Sequence, residues 1–167
     1  FVANHQGAYD IYLVYGYLNH NFKWMMKKSL EKIPFVGAAC RISKHIMVDR
    51  SSASAIQQTM DSAKRILKGG MSLVVFPEGS RTPDGEMKKF KRGAFSLATE
   101  FGLPIVPLTI DGSYDVMPKN TFCITPGKIS LTIHKPIYFD KVGADNKALT
   151  EELLEKSYNV IKSGLPG

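Results

Sequence analysis

The chain has 167 residues, 44% apolar and 22% charged, a globular composition with enough length to bury a core. Twenty-two lysines and arginines against fifteen acids give a charge of +7, which favours phosphate groups, acidic lipid surfaces, an acidic carrier protein or nucleic acid. No run reaches the roughly 18 apolar residues of a membrane span, and there is no signal peptide. The two cysteines, Cys40 and Cys123, are too few and too far apart for a disulfide framework or a metal site, and read as reduced thiols of a cytosolic face.

Phe1-Val2-Ala3 reads as the tail of a strand whose beginning is missing, so the chain is expected to be cut from a longer one, with any membrane anchor upstream. Next come Asn4-His5-Gln6-Gly7-Ala8-Tyr9-Asp10. On one continuous helix His5 and Asp10 would lie about 140° apart and would not meet. They meet if His5 occupies a strand-to-helix turn, bent at Gly7, and Asp10 the first helical turn. The carboxylate then holds one imidazole nitrogen and leaves the other to a substrate proton, as a general base with its orienting partner.

Residues Ala8 to Asn19 predict a helix that is apolar nearly all round, hence buried or leaning on a membrane. Phe22 to Met26 predict a short strand, Ser29 to Gly37 a short helical stretch broken by Pro34, and His45 to Arg50 another strand. A helix runs from Ser52 to Lys68 and stops at Gly69-Gly70. The apolar run Met71 to Phe76 reads as a strand covered on both faces, with a turn at Pro83-Asp84-Gly85. The basic run Lys88 to Arg92 reads as a surface or carrier-docking segment before a helix over Gly93 to Phe101. Pro104 to Ile110 and Ile129 to His134 predict later strands, and Lys147 to Lys162 a closing helix. Alternating strands and helices predict an α/β domain over 1–167, with a largely parallel sheet flanked by helices and a site at the carboxyl edge of its strands.

Four motifs in this order resemble the 1-acylglycerol-3-phosphate acyltransferases, a branch of the glycerolipid acyltransferase family: NHQGAYD, IMVDR ending in Arg50, FPEGSR from Phe76 to Arg81, and the proline-bearing strand IVPLTI. The approach KKSLEKIPFVG and the run FKRGAF also look like this branch, and the resemblance covers roughly Phe1 to Asp111. Two departures are Gly7, where many members carry Ser, and Ser80, where Thr is common. The resemblance implies transfer of an acyl group from acyl-CoA or an acyl carrier protein, as co-substrate, to lysophosphatidic acid. It implies an enzyme at the cytoplasmic face of an anionic membrane, with no bound cofactor or metal and no nucleic-acid partner. Sibling members use glycerol 3-phosphate or other lysophospholipids.

The chemistry suits these residues. An ordinary imidazole titrates near pH 6.5, so His5 can take a hydroxyl proton at neutral pH while Asp10 fixes its tautomer and stabilises the imidazolium. Arg81 can grip phosphate bidentately, with Arg50 and Lys27 as further phosphate ligands; Lys28 competes with Lys27 for that part. Glu78 is expected to orient Arg81 or a glycerol hydroxyl. Gly79 permits close backbone approach, and a backbone N–H there or Lys27 could stabilise an oxyanion. His20, His45 and His134 are expected to be structural or exposed. A serine hydrolase using Ser80 is disfavoured, because Glu78 to Thr82 is not a G-x-S-x-G elbow. A basic lipid-binding module would need neither His5 nor Asp10.

Overall fold

The computed structural model describes residues 1–140 and 147–166. The chain forms two compact units: Phe1–Asn19 with Phe76–Gly167, and His20–Val75. Each pairs strands and covers them with helices, and three of the four strand pairings given below are parallel. The class is α/β.

In the first unit, β1 (Val2–Ala3) runs parallel to β5 (Pro107–Asp111), with Val2 opposite Pro107. Strand β6 (Ser130–Ile133) returns antiparallel on the other side of β5. Helices α4 (Gly93–Phe101) and α6 (Lys147–Ser163) close the core with the loop residue Phe90. Val2, Phe95, Ile105, Leu153 and Ile161 fill it. The Phe90 ring meets Tyr158 edge-on at 5.1 Å, an arrangement the ring quadrupoles favour.

Helix α1 (Asp10–Tyr17) is shorter than the predicted Ala8 to Asn19, and its outer face is not buried among the described residues. Tyr12 is 70% and Tyr17 73% exposed, because only one face, with Asp10 and Val14, turns inward. Tyrosine counts as apolar in a helical pattern, yet its hydroxyl tolerates water. A four-residue helix, α5 (Ser113–Val116), was not expected. No described helix is long and apolar enough to cross a membrane.

In the second unit, β2 (Phe22–Lys27) lies between β3 (Ile46–Val48) and β4 (Ser72–Val75), parallel to both. Trp24, Cys40, Ile46, Ala63, Leu73 and Val74 are buried. A 3₁₀ turn over Lys28–Lys32 leads past Pro34 into α2 (Val36–Ile42), which extends beyond the predicted stop at Gly37. Helix α3 (Ala53–Lys68) begins where expected: Ser52 Oγ accepts from the Ala55 N–H at 3.1 Å, and Gly69 caps the far end. Such a cap satisfies one of the first-turn donors and contributes about 1 kcal/mol.

His45 carries a testable consequence. Its Nδ1 accepts from the Trp24 backbone N–H at 3.3 Å, a bond that a doubly protonated ring cannot receive. Burial, with a smaller contribution from the nearby Lys23 charge, holds its pKa below the ordinary value. The unfolded imidazole therefore binds its proton first on acidification, so this contribution is full above about pH 6.5 and is lost as pH falls. Trp24 is the chain's single tryptophan, and its emission should report a lower unfolding midpoint at about pH 5 than at about pH 7. His45→Gln should flatten that difference. Equal midpoints in the wild type would remove the link.

Candidate functional site

The site grows from the end of β1. Asn4 continues the ladder with its side chain: Nδ2 donates to the Ile110 carbonyl at 2.7 Å, and Oδ1 accepts from the Ile110 N–H at 2.8 Å. That amide pins the chain to β5 where ordinary strand pairing ends, so His5 leaves the sheet at a fixed point. The His5 carbonyl then accepts from the Thr82 N–H at 2.9 Å.

Asp10 opens α1 and is fully buried. Its Oδ2 accepts from His5 Nδ1 at 2.7 Å, from the Gln6 N–H at 2.7 Å and from the Gly7 N–H at 3.1 Å. Its Oδ1 accepts from the Ser113 hydroxyl. Four donors satisfy a carboxylate that water does not reach. A carboxylate only accepts, so Nδ1 is the donor in this pair and Nε2 is the ring nitrogen left to a substrate. The His5 ring stacks flat on Phe76, with centroids 4.0 Å apart and planes 7° apart, and its side chain is 15% exposed.

Gly7 is required by sterics rather than by its dihedrals. A Cβ there would lie 2.3 Å from the Ser113 carbonyl oxygen, far inside contact distance.

The loop from Phe76 to Arg81 supports His5 from its other side. Glu78, expected to orient Arg81 or a glycerol hydroxyl, is buried and commits both carboxylate oxygens to main-chain donors. Oε1 accepts from the His5 N–H at 2.8 Å and Oε2 from the Lys88 N–H at 2.9 Å. Burial raises the Glu78 pKa, while those two N–H donors and the Lys88 charge pull it back. The Gly79 N–H donates to the Phe76 carbonyl at 2.9 Å, so that donor is already engaged and an oxyanion would need another. Arg81 is half-buried on the same loop.

Three partners of this arrangement are not among the expected site residues. Lys88 staples the loop: its Nζ reaches the Ser80 carbonyl at 2.5 Å, the Ser80 hydroxyl at 2.6 Å and the Arg81 carbonyl at 3.0 Å. In the sequence it is one member of a basic run. Ser113 and Asn4 are ordinary polar residues whose partners lie 103 and 106 positions away. The only hint for Ser113 is its place just after the fourth motif.

Lys27 and Arg50 belong to the second unit. Lys27 ends β2 opposite Val48, and Arg50 follows β3; both are exposed. Lys28 Nζ sits 2.6 Å from Asp49 Oδ2, and that lysine's hydrogen bond and charge draw the Asp49 pKa down. Among the described residues Lys27 has no such partner.

Comparison with known proteins agrees with these motifs. The family model described as Acyltransferase matches residues 1–111. A 1-acyl-sn-glycerol-3-phosphate acyltransferase of Chlamydomonas reinhardtii is 32% identical over 99% of this chain and 48% of its own length. A protein of the same name from Pseudomonas aeruginosa is 32% identical over 85% of this chain and 55% of its own. The chain thus spans about half the length of these curated relatives. The crystal structure of the 1-acyl-sn-glycerophosphate acyltransferase PlsC from Thermotoga maritima superposes with a TM-score of 0.80 at 34% identity, over 98% of this chain and 63% of that one.

Two substitutions test the packing around Asp10. Gly7→Ala should lower stability by about 1–3 kcal/mol, the usual cost of overpacking. Ser113→Ala should lower it by about 1–3 kcal/mol, by stripping a buried carboxylate oxygen of its donor. Urea unfolding measures both, and unchanged midpoints would show that neither contact holds in solution.

Proposed function

Because this chain belongs to the acyltransferase family, we propose that it moves a fatty acyl group from an acyl thioester to the free hydroxyl of 1-acylglycerol 3-phosphate. The product is phosphatidic acid for phospholipid synthesis. The observation that supports this best is the His5–Asp10 pair: Nδ1 is held at 2.7 Å by a fully buried carboxylate, and a partly exposed ring leaves Nε2 to act as a base. The names of the relatives support the acceptor. The donor is acyl-CoA or acyl carrier protein, and the enzyme works at the cytoplasmic face of an anionic membrane.

The reaction runs in one ternary complex. His5 Nε2 removes the acceptor hydroxyl proton as that oxygen attacks the thioester carbonyl. The tetrahedral intermediate collapses, the C–S bond breaks, and the imidazolium returns the proton to the departing thiolate. Asp10 holds the ring tautomer throughout. Glu78 fixes the His5 main chain. Arg81 takes the acceptor phosphate, and its fixed charge selects phosphorylated acceptors; Arg50 and Lys27, on the second unit, are further candidate phosphate ligands. Gly79 keeps the loop backbone close to the bound phosphate.

Holding the two reactants together can supply several kcal/mol of the barrier without a protein nucleophile. His5→Ala should therefore abolish transfer while both substrates still bind, as equilibrium dialysis would show. Intact-protein mass spectrometry after incubation with acyl thioester alone should find no acyl adduct. A one-acyl mass increase, chased away by acceptor, would instead establish a covalent route.

Arg81→Ala should raise the acceptor KM by roughly tenfold or more, the scale of a lost charge-assisted pair, and leave the donor KM nearly unchanged. A panel of glycerol 3-phosphate and lysophospholipids, run with both donors, fixes the acceptor. Turnover only with an acceptor lacking phosphate would overturn the assignment of Arg81.

A further inference from the structure

Helix α2 is built inside out. Ala38, Ala39 and Ile42 share a sector roughly 100° wide, and Phe35 stands at the cap just before the helix. All four are exposed, Phe35 at 90% and Ile42 at 82%. The opposite side, which packs inward, offers only Gly37 and Cys40. Gly37 makes this possible, since a Cβ there would fall 2.1 Å from the Glu31 carbonyl oxygen. The helix therefore lies backbone-close on the 3₁₀ turn, and its bulk points away. Phe35 also holds φ at 64°, a conformation costly for a bulky residue, yet its carbonyl is fixed by the Ala39 N–H at 2.9 Å. Val36 and Ile33 add further apolar surface to this side.

Charge is distributed just as unevenly. Residues 20–75 hold ten lysines and arginines against three acids, a net +7, whereas the rest of the chain holds twelve of each. The second unit thus carries the whole excess. Lys32, Arg41 and Lys44 are exposed beside the apolar sector.

We propose that this face of α2 is a membrane-contact surface, which seats Phe35, Ala38, Ala39 and Ile42 among the lipids while the surrounding cations meet anionic headgroups. The inference rests on the reading that the acceptor is a lipid. Apolar insertion combined with basic attraction is the chemistry of interfacial binding. A second copy of this chain would bring its own +7 to the contact, so charge opposes self-association through this face.

The test uses vesicles of phosphatidylcholine alone and vesicles with part of it replaced by phosphatidylglycerol. The chain should cosediment with the anionic vesicles, less so at high salt. Phe35→Ser with Ile42→Ser should weaken that binding by about tenfold or more. These side chains are exposed, and an unchanged circular dichroism melt will show that the variant folds. Phe35→Trp should shift its emission to the blue on binding and be quenched by lipids brominated in their acyl chains, against the constant signal of buried Trp24.

Turnover of a short-chain lysophosphatidate dissolved as monomers should be unaffected by the double variant, while turnover of acceptor embedded in vesicles falls. Vesicle binding indifferent to the double variant, or no quenching in bound Phe35→Trp, overturns the proposal. So does a dimer, or a complex with an acidic carrier protein, that the double variant abolishes while vesicle binding persists. Failure of the wild type to acylate any dissolved acceptor would defeat the acyltransfer reading, and the vesicle measurements would still decide the surface.

Discussion

A carboxylate with no water around it must be completely hydrogen-bonded or the fold pays several kcal/mol for it. Asp10 meets that demand with four donors drawn from three places: the His5 ring, the Gln6 and Gly7 main chain, and the Ser113 hydroxyl. The demand fixes much else. Two consecutive N–H groups can converge on one oxygen only if the chain turns tightly at Gly7, and that turn is what brings His5 back over the start of α1. The Ser113 hydroxyl can arrive only if α5 begins against Gly7, which leaves no room for a side chain there. Sterics, turn and imidazole orientation are thus one constraint seen from different sides.

Glu78 performs a similar service for the main chain. By accepting from the His5 and Lys88 N–H groups, it ties the turn after β1 to the loop that carries Arg81. Arg81 and the imidazole are therefore held in a common frame by a residue with little surface of its own. Lys88 fastens the outside of the same loop. Two charged side chains here act on backbone atoms, the kind of support that keeps a reactive group within the narrow tolerance its chemistry needs.

Much of this was legible in the chain because it is local. The five-residue interval from His5 to Asp10, the glycine between them and the strand before them together implied a turn. Ser52 and Gly69 marked the ends of α3, and the apolar run before Phe76 announced β4. What escaped reading depends on distance or on inverted logic. Asn4 and Ser113 acquire meaning only from partners more than a hundred residues away. Lys88 sits in a basic run, which sequence patterns assign to a solvated surface. Helix α2 defies the rule that the bulky side of a helix faces inward, because Gly37 and Cys40 are all that its inner side can accommodate. In α1, only the side with Asp10 and Val14 is buried, and the tyrosines counted as apolar stay exposed.

The reach of Ser113 back to Asp10, across 103 positions, also sets an order of events. His5 precedes by more than a hundred residues both the hydroxyl that completes the Asp10 shell and the strand that Asn4 grips at Ile110, so in synthesis they follow it. Closing so long a loop costs entropy that only the finished core repays. During synthesis the imidazole is therefore present without its settled carboxylate, and the base takes its final orientation only when the first unit closes.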